Sequence, residues 1–149
     1  MAPARVVPNQ RVSTLPARLR LVVTRLARRL RQESEPSVSP TQLALLATIE
    51  RAGALTLGEL ADVERVRPPT VTAAIGRLED EGLVRRQRDD DDGRVTRVSV
   101  TPAGRQMLER TRSRKTAYLE RRLASLSAAD RAALERAADV LERILQEER

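Results

Sequence analysis

Apolar residues recur at helical spacing along most of the chain and alternate in only one short region. Leu15, Leu19, Val22, Leu26 and Leu30 lie three or four apart, which predicts an amphipathic helix over 14–32. Its other faces carry Arg18, Arg20, Arg25, Arg28, Arg29 and Arg31. After a polar linker over 33–38, Ser39-Pro40-Thr41-Gln42 opens a second helix. Serine caps it, proline takes the first turn and glutamine falls at the capping-box position. Leu43, Leu46 and Ile49 form its inner stripe, and Gly53 ends it. Thr56-Leu57-Gly58-Glu59 is a second capping box, opening a short helix to about Val63. A tight turn over Glu64–Arg67 leads to Pro68-Pro69, which start a helix running to about Glu81 and stopping at Gly82. Its inner stripe is Val71, Ala74, Ile75 and Leu78. Two helices so joined form a helix-turn-helix pattern.

The period then changes to two. Leu83–Arg88 and Val95–Val100 read as strands, and the Asp-Gly pair between them is a hairpin signal. Thr101-Pro102 caps and opens a long, mostly polar helix to about Ala124, with Met107, Leu108, Tyr118, Leu119 and Leu123 as its apolar points. Ser127 caps a last helix in which Leu134, Ala138, Leu141 and Leu145 make a near-heptad seam. Residues 1–12 carry two prolines and no periodicity, and are expected to be a flexible arm. The fold class is mainly α with a small β-wing: a winged helix-turn-helix over 39–101, flanked by helices.

Composition narrows the function. The 149 residues include one aromatic, Tyr118, so the core is expected to be aliphatic. The net charge is +7 and the sequence pI about 11.3, which favours a polyanion: nucleic acid first, an anionic membrane second. The base is arginine with the single exception of Lys115. Arginine offers a planar fork of donors suited to phosphate and guanine. The charge is unevenly placed. Residues 1–32 hold eight arginines and no acid, whereas Glu64–Thr101 hold eight arginines and eight acids. The predicted helix-turn-helix and wing are therefore close to neutral, and any anion binding there depends on placement. The arginines of the first helix and of the helix after the wing form a basic flank, a ligand-facing surface or a solvated face, with the solvated face favoured.

The chain has no Cys and no His. Disulfides, thiolate switches, the usual zinc sites and His- or Cys-based catalysis are excluded. No catalytic constellation is visible, so no enzyme activity and no cofactor are expected. Asp89-Asp90-Asp91-Asp92-Gly93 invites a calcium-loop reading. Placing Gly93 at the loop's sixth position puts Arg88 first and Ser99 twelfth, and neither is a calcium ligand, so no metal is expected. No stretch reaches the length of a membrane span, and 1–12 lacks the apolar region of a signal peptide. A soluble cytoplasmic protein with no membrane partner is expected.

The order of elements, and especially Leu78-Glu79-Asp80-Glu81-Gly82-Leu83-Val84, Asp92-Gly93-Arg94 and Val98-Ser99-Val100-Thr101-Pro102-Ala103-Gly104, resembles the MarR (multiple antibiotic resistance regulator) family of winged helix-turn-helix transcription regulators. The family pattern is L-E-x-x-G-L-V, a wing D-x-R, then V-x-L-T-x-x-G, and the resemblance covers about Thr14 to Glu147. It implies a symmetric homodimer held by a helical region over 13–34 and 102–149. It also implies double-stranded DNA as partner, a palindromic operator and release by a small-molecule effector of unknown identity. The chain departs from the pattern at Ala73 and Gly76, where members often carry larger polar residues. Lacking Cys, it does not fit the oxidation-sensing branch, and its dearth of aromatics leaves no stacking platform for a phenolic ligand.

The candidate DNA-binding residues follow from position. Pro69, Thr70, Thr72, Ala73 and Arg77 lie off the apolar stripe of the recognition helix, with Arg67 just ahead of it. The first residues of such a helix meet base edges in the major groove. Thr70 and Thr72 offer hydroxyls and methyls, and Arg77 suits a phosphate. The bland alternative has Thr70 only capping the helix and Arg77 solvated. At the wing tip Arg94 suits a narrow minor groove, with Asp92 expected to accept its guanidinium bonds and hold it extended; the alternative is an exposed turn. The expected function is ligand-responsive repression on a palindromic operator. The alternative is a constitutive, weakly specific architectural DNA-binding protein.

Overall fold

The computed structural model describes residues 14–34 and 36–147; the arm expected over 1–12 lies outside the described residues. The described residues form α1 (Leu15–Gln32), α2 (Pro40–Ala52), α3 (Leu57–Glu64), α4 (Pro68–Asp80), β1 (Val84–Arg88), β2 (Thr96–Val100), α5 (Pro102–Leu123) and α6 (Ala128–Gln146). The order is the expected one, and each strand begins one residue later than its apolar pattern suggests. None of these helices is long and apolar enough to cross a membrane.

The chain divides after Gln32 into two compact units. The described part of the first is α1. It buries no residue, and Leu15, Leu19, Leu21, Val22, Val23 and Leu26 are all exposed.

The second unit is built around α2. Its N-terminus is closed by a reciprocal cap: the Gln42 N–H donates to Ser39 Oγ at 3.2 Å and the Ser39 N–H to Gln42 Oε1 at 2.8 Å. Thr56 and Glu59 repeat the device at α3, at 3.1 and 2.7 Å. Removing such a cap costs about 1 kcal/mol. The inner stripe of α2 is wider than the sequence reading gives. Leu43 is only half-buried, whereas Gln42, Leu45, Leu46, Thr48 and Ile49 are buried. The reason is that α2 packs on α3 and α4 as well as on β2 and α5, so more than one face is covered. Thr48 meets the added burial by donating its hydroxyl to the Glu64 carboxylate. Leu45, Leu46, Ile49, Leu60, Val71, Ile75, Leu78 and Val98 are the large, fully buried side chains, an aliphatic core as composition requires. The α5 helix joins it through Met107 and Leu108, whereas α6 buries nothing.

Strands β1 and β2 pair antiparallel from Val84↔Val100 to Arg88↔Thr96. On the other edge of β2, the Leu55 N–H donates to the Val98 carbonyl at 3.1 Å and the Val98 N–H to the Leu55 carbonyl at 2.7 Å. This pins the hairpin to the helix-turn-helix. The hairpin turn departs from the reason given for it. Gly93 is not among the glycines with positive φ, so no left-handed Asp-Gly pair closes the loop. Instead Asp89 Oδ1 accepts the N–H groups of Asp91 and Asp92 at 2.9 and 3.2 Å. The Asp89 N–H donates to the Val95 carbonyl at 2.8 Å. An aspartate side chain turning its own backbone does the work assigned to glycine.

Candidate nucleic-acid interface

The recognition helix α4 starts without a side-chain cap on its N-cap residue, Arg67. Pro68 and Pro69 have no N–H to satisfy, and the Thr70 and Val71 N–H groups both donate to the Arg67 carbonyl at 2.9 and 3.2 Å. Thr70 therefore does not cap the helix, which removes one bland reading of it. With two donors missing from the first turn, this helix end offers an anion few backbone N–H groups, and contacts there fall to side chains.

Val71, Ala74, Ile75 and Leu78 fix the rotation of α4 by burying one face. Arg67, Pro69, Thr70, Thr72, Ala73 and Arg77 are left exposed on the remainder. The Thr72 hydroxyl donates to the Pro68 carbonyl at 3.0 Å, so its remaining capacity toward a base is as an acceptor, with its methyl free. Thr70, Ala73 and Arg77 line a recess of about 200 Å³ with Ser39, Thr41, Gln42 and Ala74. At the far end of α4, Glu79 pairs with Arg86 of β1 at 3.1 Å, so part of the acidic end is neutralised within the chain.

Asp92 and Arg94 are both exposed at the wing tip. They meet differently from expectation. Asp92 Oδ1 accepts the backbone N–H of Arg94 at 3.0 Å, not its guanidinium. The carboxylate shapes the turn and leaves the Arg94 side chain to reach outward. Asp92 also accepts the Val95 N–H on its carbonyl, at 2.9 Å.

Three residues that sequence reasoning did not mark as part of this site tie it together. Arg97 Nη1 donates to Glu59 Oε2 of α3 at 3.1 Å, and Arg97 Nε donates to the Asp89 carboxylate. The Arg97 bond, then the Asp91 and Asp92 N–H groups, hold the Asp89 carboxyl below its ordinary pKa. The Thr56 N–H does the same for Glu59, with Arg97 adding to it. Alternation along β2 shows Arg97 off the buried face of Val98 and Val100, but nothing local in the sequence joins it to Glu59.

A sequence model of the MarR family matches residues 38–96, the span from the start of α2 to the start of β2. The chain is 41% identical over 130 residues to an HTH-type transcriptional regulator, Mb0904, of Mycobacterium bovis, covering 87% of this chain and 91% of that one. Its fold is similar to the crystal structure of a transcriptional regulator from Pseudomonas aeruginosa (TM-score 0.79, 37% identity, 89% and 94% of the two chains). It is also similar to a MarR family protein from Bacillus stearothermophilus (TM-score 0.74, 28% identity, 89% and 93%).

Proposed function

The chain belongs to the MarR family of DNA-binding, winged helix-turn-helix transcription regulators, and from that premise we propose that it is a cytoplasmic repressor that binds a palindromic operator as a homodimer. The observation that carries the DNA-reading half is the exposed face of α4. A helix rotated by four buried residues leaves Arg67, Pro69, Thr70, Thr72, Ala73 and Arg77 exposed. The helix enters the major groove by its N-terminal half, where the threonine methyls and hydroxyl oxygens read base edges and Arg67 and Arg77 hold phosphates. Arg94 enters the flanking minor groove.

Homodimerisation is supported by the apolar residues that a single chain leaves exposed on α1 and α6, among them Leu15, Val22, Leu134, Ile144 and Leu145. Effector response belongs to the same proposal. The recess beside α4 is lined by Ser39, Thr41, Thr70 and Arg77 among others. Its volume is below that usual for drug-sized ligands, so it suits a small anion, which would compete with DNA phosphate for Arg77.

The test is a binding titration against duplex from the region upstream of the protein's own gene and a scrambled duplex of equal length, at several salt concentrations. Preference for the upstream duplex that persists as salt rises supports the operator reading. Equal affinity for both, falling together with salt, marks a weakly specific architectural protein instead.

A further inference from the structure

The helix-turn-helix and the wing tip are joined by a continuous path of bonds that runs through one arginine. It begins at Glu59, the third residue of α3, whose carboxylate Oε2 already accepts the Thr56 N–H at 2.7 Å. Arg97 donates to that same oxygen from one side of its guanidinium and to Asp89 from the other. Asp89 in turn accepts the Asp91 and Asp92 N–H groups, and Asp92 accepts the Arg94 N–H. Every step is a hydrogen bond, and the last one sets the backbone of the residue at the wing tip. The Asp89 side chain keeps 16% of its exposure and Arg97 keeps 34%, so this join is more sheltered than the open turn above it.

The geometry is suited to fixing an angle. The base of the hairpin is held by the backbone bridge from Leu55 to Val98, by burial of Val84, Val98 and Val100 and by the Arg86–Glu79 pair, whereas the wing turn lies beyond all of these. Arg97 is the residue before Val98, and it bonds α3 and the wing turn through different edges of one rigid plane. The Arg97 bonds add an attachment that reaches from α3 to the turn itself, which the contacts at the base do not.

We propose that Arg97 is a positioning residue for DNA binding: clamped between Glu59 and Asp89, it sets the pose of the wing, and so of Arg94, relative to α4. The inference rests on the reading of Arg94 as a wing contact. It makes wing placement a property of this guanidinium's shape and not of its charge, so lysine is no substitute.

The test is a double-mutant cycle on upstream duplex, with Arg97→Met, Arg97→Lys and Arg94→Ala alone and combined, alongside amide exchange in the free protein. Arg97→Met is expected to weaken binding roughly threefold to tenfold in the parent and to add nothing once Arg94 is alanine. Arg97→Lys is expected to stay close to Arg97→Met. Exchange at the Asp91, Asp92 and Arg94 amides should speed up in Arg97→Met while that at Val98, bonded to the Leu55 carbonyl, and at Thr101, bonded to the Leu83 carbonyl, holds. Several outcomes overturn the proposal. These are equal losses in both Arg94 backgrounds, full rescue by lysine, or unchanged exchange at the wing tip. If Arg94→Ala alone binds like the parent, the wing contact itself is refuted and the positioning role with it; in every other failure the wing contact stands.

Discussion

Arg94 and Thr72 both face solvent, and on the proposed interface they would give DNA different things. A guanidinium in the minor groove contributes charge and little sequence information, because that groove mainly separates A·T from G·C. Arg94→Ala should therefore weaken binding to every duplex and flatten the salt dependence by roughly one counterion per wing. Thr72 carries no charge, and its hydroxyl proton is already given to the Pro68 carbonyl. Thr72→Ala should leave the salt slope unchanged and cost about 1–3 kcal/mol on particular base pairs of the half-site. Salt titrations of both variants on upstream and scrambled duplex separate the two roles. The same pair of residues marks how far the sequence carries. That Thr70 and Thr72 lie off the stripe of Val71, Ala74, Ile75 and Leu78 is legible from helical period alone. That the Thr72 hydroxyl spends its proton on the backbone, and that Asp92 bonds the Arg94 N–H and not its guanidinium, depends on rotamers that spacing does not determine.

At the scale of elements, the junction of β1, β2 and α5 explains the Thr101 and Gly104 of the family pattern. The Thr101 hydroxyl donates to the Gly82 carbonyl at 2.6 Å and accepts the Gly104 N–H at 3.1 Å. A β-carbon at Gly104 would clash with the Leu83 carbonyl oxygen and the Val100 side chain. Gly104→Ala should destabilise the protein by roughly 1–3 kcal/mol through overpacking. Gly76, in the middle of α4, is the opposite case: a β-carbon there meets nothing within 4 Å. Gly76→Ala should stabilise by about 1 kcal/mol, the gain in helix propensity, and thermal unfolding of the two variants should move in opposite directions. The α3-to-wing join also has a pH signature. The Asp89 and Glu59 carboxyls titrate below their ordinary values when folded, so their stabilisation is present above about pH 4 and is lost as pH falls through the lowered folded values. The difference in melting temperature between the parent and Arg97→Met should shrink on acidification below about pH 4. The caps, the prolines and Gly82 made α2, α3, α4 and their ends readable in advance. The join did not read out because Glu59 and Arg97 stand 38 positions apart, and it is tertiary packing, including the pairing of Leu55 with Val98, that brings them together.

At the scale of the whole molecule, a single chain leaves much apolar surface uncovered. Leu145 is 66% exposed and Ile144 49%, on a helix that buries nothing. Were the chain a monomer, Leu145→Asp would be nearly neutral, as exposed substitutions are. For a homodimer it should halve the sedimenting mass, or lower stability in a concentration-dependent way, while leaving the residues of α4 intact. In the proposed homodimer the second copy would also set the spacing of the DNA site, because two recognition helices related by a two-fold axis reach successive major grooves on one face. Hydroxyl-radical footprinting on the region upstream of the gene reads that geometry directly. Two equivalent protected patches about one helical turn apart on one face of the duplex, related by a two-fold axis and flanked by minor-groove protection that disappears in Arg94→Ala, are the predicted result. A single patch, or uniform protection that follows no symmetry and shifts with the fragment chosen, would contradict a dimer reading a palindromic operator.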